Sequence, residues 1–127
     1  MANLRRAIAA AVTRIDDVIA SESMFSSGDA YWVNGKEIAH FEDDSTLEIR
    51  LTKAVIRDRR PAFKADGRVE LRPSGADWIT VRFATQEDVA FIADLVEVAA
   101  QAHRPASGGT PTPPPTGADL ERRRRFH

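Results

Sequence analysis

The chain has 127 residues, 43% hydrophobic and 29% charged, the balance of an ordinary globular domain of single-domain length. Eighteen basic against nineteen acidic side chains leave a formal charge of −1, so no overall field draws in nucleic acid or an anionic membrane. There is no cysteine, which excludes disulfides, thiolate zinc sites and iron–sulfur clusters.

Near the N-terminus, Leu4, Ile8, Ala11, Val12, Ile15, Val18 and Ile19 recur at three- and four-residue steps. That spacing predicts one amphipathic helix, stopped near Ser21 by the serine-rich stretch SESMFSSGD. Two arginines ahead of AIAAAV imitate a secretory leader. The run is shorter and richer in alanine than the roughly 7–15 apolar residues a leader needs, so a cytoplasmic protein is expected. With no longer apolar segment, no membrane association is expected.

Asn34-Gly35 between AYWV and KEIAHF supplies the two positive-φ positions of a type I′ hairpin turn. A third strand, TLEIRL, alternates Leu47, Ile49 and Leu51 with Glu48 and Arg50, and EDDS before it has turn chemistry. Thr52 is placed to cap a short helix, KAVIRDRR, that Pro61 should end. Two further strands, RVELR and DWITVRF, flank the turn PSGA and point Val69, Leu71, Ile79, Val81 and Phe83 inward. Thr85 and Asp88 form a capping box that opens a last helix burying Val89, Ile92, Leu95, Val96 and Ala99, ending near His103 because of Pro105.

From Arg104 the chain is rich in proline, glycine and arginine, and residues 104–127 are expected to be a disordered tail. Residues 1–103 are expected to form one domain. Its fold class is α+β, a two-layer sandwich with one antiparallel sheet of about five strands and the N- and C-terminal helices on one face.

In GKEIAHF, LTKAVIRD and RVELRPSGADWITVRF, in that order and spacing, the chain resembles a small bacterial luciferase-like domain family, from about residue 24 to residue 102. The likeness includes the His40 position, the segment from Ser74 to Trp78 and the closing helix. It implies a domain without an established activity, and its label does not imply light emission. Typical members have a second histidine soon after the first, where this chain has Glu42.

Three features bear on function. The first is His40 with Glu42, Asp43 and Asp44. Imidazole and carboxylates suit iron, zinc or manganese, and on a strand His40 and Glu42 project to one side. The plainer reading is a polar strand end and turn. With no Gly-x-Ser-x-Gly elbow, no cysteine and no phosphate loop, the sequence points away from an enzyme, and no cofactor is expected.

The second feature is the sheet face turned from the helices, expected to carry Glu48, Arg50, Glu70, Arg72, Trp78, Thr80 and Arg82, with His40 sharing the parity of Ile38 and Lys36. Trp78, Arg50, Arg72, Arg82 and His40 would there bind another protein or a small anionic ligand. Alternatively, the Glu and Arg rows simply pair across strands. Trp32 fits either this face or the core.

The third feature is Arg122, Arg123, Arg124 and Arg125, a basic run able to contact nucleic acid. Asp119, Glu121 and the lack of aromatics other than Phe126 favour a solvated tail instead. The leading expectation is a binding module acting through the open sheet face. A metal-dependent protein built on His40 and Glu42 is the alternative, and nucleic-acid binding by the tail a third.

Overall fold

A computed structural model describes residues 4–73 and 76–126. Ser74, which opens the Ser74–Trp78 segment of the family resemblance, lies outside the described residues. The elements run α1 (Leu4–Val12), β1 (Ile19–Glu22), β2 (Asp29–Val33), β3 (Lys36–Asp43), β4 (Thr46–Arg50), α2 (Lys53–Ala65), β5 (Val69–Leu71), β6 (Trp78–Arg82), α3 (Gln86–His103) and α4 (Gly117–Arg125). The class is α+β, as expected, with six strands in the order β1-β2-β3-β4-β6-β5 and every neighbouring pair antiparallel.

The additional strand comes out of the expected first helix. Helix α1 ends at Val12, where the Thr13 hydroxyl donates back to the Ala9 carbonyl at 2.7 Å. The chain reverses through Asp17 at φ 72°, and Ile19–Glu22 then pairs with Trp32–Asp29 along the sheet edge. Apolar residues at three- and four-residue steps cannot reveal this break, because Val18 is buried in the core from a turn rather than from a helix. Pro61 also does not end α2, which continues to Ala65. Phe63, 4% exposed in the main core, rewards the extra turn, a tertiary gain that overrides local propensity.

The remaining signals hold. Asn34 and Gly35 have φ 51° and 76°, the type I′ hairpin pair. Thr52 caps α2, its hydroxyl accepting from the Val55 N–H at 3.1 Å. The capping box is present at Thr85 and Asp88. In the β4–β6 pairing Leu47 lies opposite Val81 and Ile49 opposite Ile79. All four are fully buried in one core with Ile8 and Val12 of α1, Ile56 and Phe63 of α2, and Val89, Ile92 and Val96 of α3. The alternate pairs Glu48–Thr80 and Arg50–Trp78 therefore belong to the opposite face.

That face is not wholly open, and the expected disordered tail is corrected by the fold. Residues beyond α3 return across the β2–β3 turn, where the Thr112 N–H donates to Asn34 Oδ1 at 2.8 Å. Helix α4 then seats Leu120, 1% exposed, against Ala30 and Trp32, with Met24 packed alongside. Composition suggested disorder because large apolar residues are scarce after Arg104. Leu120 meets a tryptophan on the sheet, and full burial of such a side chain contributes roughly 2 kcal/mol. Among the described residues no helix is long and apolar enough to cross a membrane.

Candidate functional site

The centre of the face opposite α1 and α3 is His40 on β3, only 4% exposed. A register break between Tyr31 and Trp32 leaves Ile38 as an extra residue, with Trp32 opposite Glu37 and Ala30 opposite His40. Ile38 and Ala39 both enter the helix-side core, so His40 does not share the side of Ile38 as simple alternation predicts. Instead it joins Glu37, 1% exposed. Bulges of this kind re-aim side chains.

Both ring nitrogens face carboxylates. Nδ1 lies 2.9 Å from Glu37 Oε2 but makes no in-line hydrogen bond. Nε2 is 2.8 Å from Glu48 Oε1 on the neighbouring strand and 3.9 Å from Glu42 Oε2. Glu48 Oε2 also accepts from the Thr80 hydroxyl at 3.3 Å and from Arg72 Nη2. Glu37 is tied from behind, accepting from the Ser23 hydroxyl at 2.7 Å and from the Met24 N–H at 2.5 Å. The Ser23 oxygen in turn accepts from the N–H groups of Phe25 and Ser26, each at 3.0 Å. A buried carboxylate thereby organises the loop that carries Phe25.

Phe25 and Trp78 wall the site. Their rings meet edge to face with centroids 5.5 Å apart, and the His40 ring stands 5.1 Å from Trp78 and 5.9 Å from Phe25. The Arg50 guanidinium lies over Trp78 at 4.8 Å and over Phe25 at 5.6 Å, within cation–π range. Phe25, His40, Glu42, Glu48, Arg72 and Trp78 line a cleft of about 320 Å³.

Of the residues singled out from sequence, the fold brings His40, Glu42, Arg72 and Trp78 to this cleft and sets Arg50 against its aromatic wall. Arg82 is exposed and borders a separate hollow with Arg68, Phe83 and Asp88. Asp43 and Asp44 turn away. Asp43 accepts from the Ser45 N–H at 2.9 Å, the Thr46 hydroxyl at 2.9 Å and the Ser45 hydroxyl at 3.2 Å, and these bonds, the Ser45 N–H foremost, hold its carboxyl below the usual range. Asp44 pairs with Arg5 at 2.8 Å. In the basic run, Arg122 pairs with Asp119, Arg123 donates to the Gly35 carbonyl, and Arg124 joins Glu121, Glu22 and the Ser23 carbonyl. Three of the four arginines are thus committed within the chain.

Sequence reasoning left Glu37, Ser23 and Phe25 out of the site, and it placed Glu48 on the face without joining it to His40. The His40–Glu48 pairing depends on a second register break, between Phe41 and Asp43, so counting outward from the EDDS turn does not give it. No local signal marks the bulge that delivers Glu37.

No curated protein and no solved structure matches this chain. Residues 35–99, more than half of the chain, match the family model described as Luciferase domain. The matched span runs from the β2–β3 turn into α3 and contains His40, Glu42, Glu48, Arg72 and Trp78. The chain belongs to the Luciferase domain family.

Proposed function

We propose that this domain is a cytoplasmic binding module that uses the sheet face opposite α1 and α3, and that the cleft over His40 holds a divalent transition-metal ion. The observation that carries this reading is that ligand atoms of His40, Glu42 and Glu48 all lie within 4.8 Å of one another. Donor atoms around an ion bonded at about 2.1 Å sit roughly 3–4 Å apart, so little movement is needed to admit one. One imidazole and two carboxylates suit manganese, iron or zinc. Glu37 Oε2 stands 2.9 Å from Nδ1, on the side of the ring where an outer carboxylate orients a ligating histidine.

Charge supports a cation here rather than an anion. Glu42 and Glu48 both border the cleft, while the Arg72 guanidinium is already engaged by Glu48. Three protein ligands leave coordination positions open toward Phe25 and Trp78, where a small molecule would complete the shell.

The test is native mass spectrometry of untagged protein, stripped with chelator and given one equivalent of Mn²⁺, Co²⁺ or Zn²⁺. One bound ion is expected. Mn²⁺ or Co²⁺ should also quench the fluorescence of Trp78, whose ring is 5.1 Å from His40. Glu42→Gln, at a side chain 56% exposed, should weaken loading without unfolding, and His40→Ala should abolish it. A bare mass at equimolar metal would overturn the reading, as would equal loading of wild type and both variants.

A further inference from the structure

A second cavity, of about 360 Å³, lies on the same face beneath the C-terminal end of α4. Its walls combine Trp32, Met24 and Phe126 with the cations Lys36, Arg50 and Arg123. Two of the lining side chains carry a buried donor with no hydrogen-bond partner among the described residues, Trp32 Nε1 and Arg50 Nε. Trp32 is 1% exposed, and the nearest carboxylate to Arg50 Nε is Asp77, at 3.9 Å. Buried N–H groups are almost always satisfied, because leaving one unpaired costs about 1–3 kcal/mol. Two such groups on side chains that line one cavity point to an acceptor that arrives with a ligand.

Among the described residues the one acid on the cavity wall, Glu37, does not supply that acceptor. Its oxygens are committed to Ser23 and Met24, with His40 alongside. Three cations against one occupied carboxylate make the cavity anion-selective, while Met24 and Phe126 offer apolar surface. Arg123 reaches the cavity only because α4 is docked through Leu120 and because the arginine donates to the Gly35 carbonyl at 3.3 Å. The basic run of the tail thus finds a use inside the molecule.

We propose that this cavity binds a small amphipathic carboxylate, its oxygens accepting from Trp32 Nε1 and Arg50 and its apolar body lying against Met24 and Phe126. The site is separate from the metal cleft and does not depend on it. The two adjoin at Arg50, which borders this cavity and stacks on the aromatic wall of the other, and at Glu37, which lies on this wall and behind His40 Nδ1.

The experiment is a titration of chelator-treated full-length protein with phenylacetate, benzyl alcohol and benzylamine, followed by ¹H–¹⁵N correlation NMR of the two tryptophan indole N–H signals, assigned with Trp78→Phe. Phenylacetate should shift the Trp32 indole signal downfield and saturate, while the alcohol and the amine should not. Arg50→Gln and Arg123→Gln should each weaken binding about tenfold or more, and Glu42→Gln should leave it unchanged. No shift of the Trp32 signal at about 10 mM phenylacetate, a concentration that detects even millimolar affinity, would overturn the proposal. So would equal binding of benzyl alcohol, or undiminished affinity in Arg50→Gln. Because the protein is metal-free throughout, these outcomes are independent of whether the His40 cleft binds an ion.

Discussion

Glu37 and His40 stand three residues apart on β3 yet share one face of the sheet, with Glu37 Oε2 2.9 Å from His40 Nδ1. On a regular strand residues three apart point to opposite faces. The register break opposite Tyr31 and Trp32 absorbs Ile38 into the core and re-aligns the pair. The result is a fully enclosed carboxylate that stands beside an imidazole on one side and holds the Ser23–Phe25 loop on the other.

Removing that carboxylate should be costly. Glu37→Ala leaves the Ser23 hydroxyl and the Met24 N–H without their buried acceptor and takes the carboxylate from His40. A loss of about 3 kcal/mol is expected, read as a lowered midpoint in urea unfolding. A change within experimental error would mean that water replaces the carboxylate and that the loop is held by other contacts.

Helix α4 buries one large side chain, Leu120, and is further tied down by Arg123 and Arg124. Leu120→Asp places a charge where Leu120 sits against Trp32 and Ala30, so the helix should undock while the main core survives. Hydrogen exchange would show lost protection across residues 117–125 with α3 unchanged, and tryptophan emission would move to the red as Trp32 meets water. Concerted loss of protection throughout the chain would instead make α4 part of the cooperative core.

Acid sensitivity should concentrate at the start of α3. Burial pushes the Asp88 carboxyl up, but bonds from the Ala84 and Thr85 N–H groups at 2.7 and 2.9 Å and from Arg68 at 3.1 Å outweigh it, and its pKa lies below the ordinary value. Asp66 is also held low, chiefly by the Arg68 side chain. In the window between the folded and unfolded pKa values the unfolded chain carries more protons. Stability from these groups is therefore complete above the unfolded value of about 3.9 and drains away as pH falls through the lower folded value. Urea midpoints between pH 6 and pH 3 should drop less steeply in Asp88→Asn than in wild type, from a lower starting point. Parallel curves would assign the acid limb to other carboxylates.

Pro61 is an exposed interruption inside α2. Replacing it with alanine restores an N–H for the helix ladder and removes the ring's clash with the preceding turn, so Pro61→Ala should stabilise by about 1–3 kcal/mol. Thermal or urea unfolding will read this directly. A destabilised variant would show that the proline's geometry is what lets Phe63 reach the core.

Several elements are legible in the sequence because their signals are local. The positive-φ demand of Asn34-Gly35, the alternation of Leu47, Ile49 and Leu51, and the cap at Thr85 with Asp88 each depend on residues within one turn of chain, where sterics and hydrogen bonding act directly. They determined an α+β chain with an antiparallel sheet, and the Glu48, Arg50 and Trp78 parity that makes one face polar. Other features rest on partners distant in sequence. Val18 and Ile19 leave the helical pattern because β2 offers an edge to pair with, and Leu120 orders the tail because Trp32 lies under it. Glu37 reaches His40 only through a bulge. Those outcomes were decided by the tertiary structure alone, since burial and pairing energy come from surfaces that no short window of sequence contains.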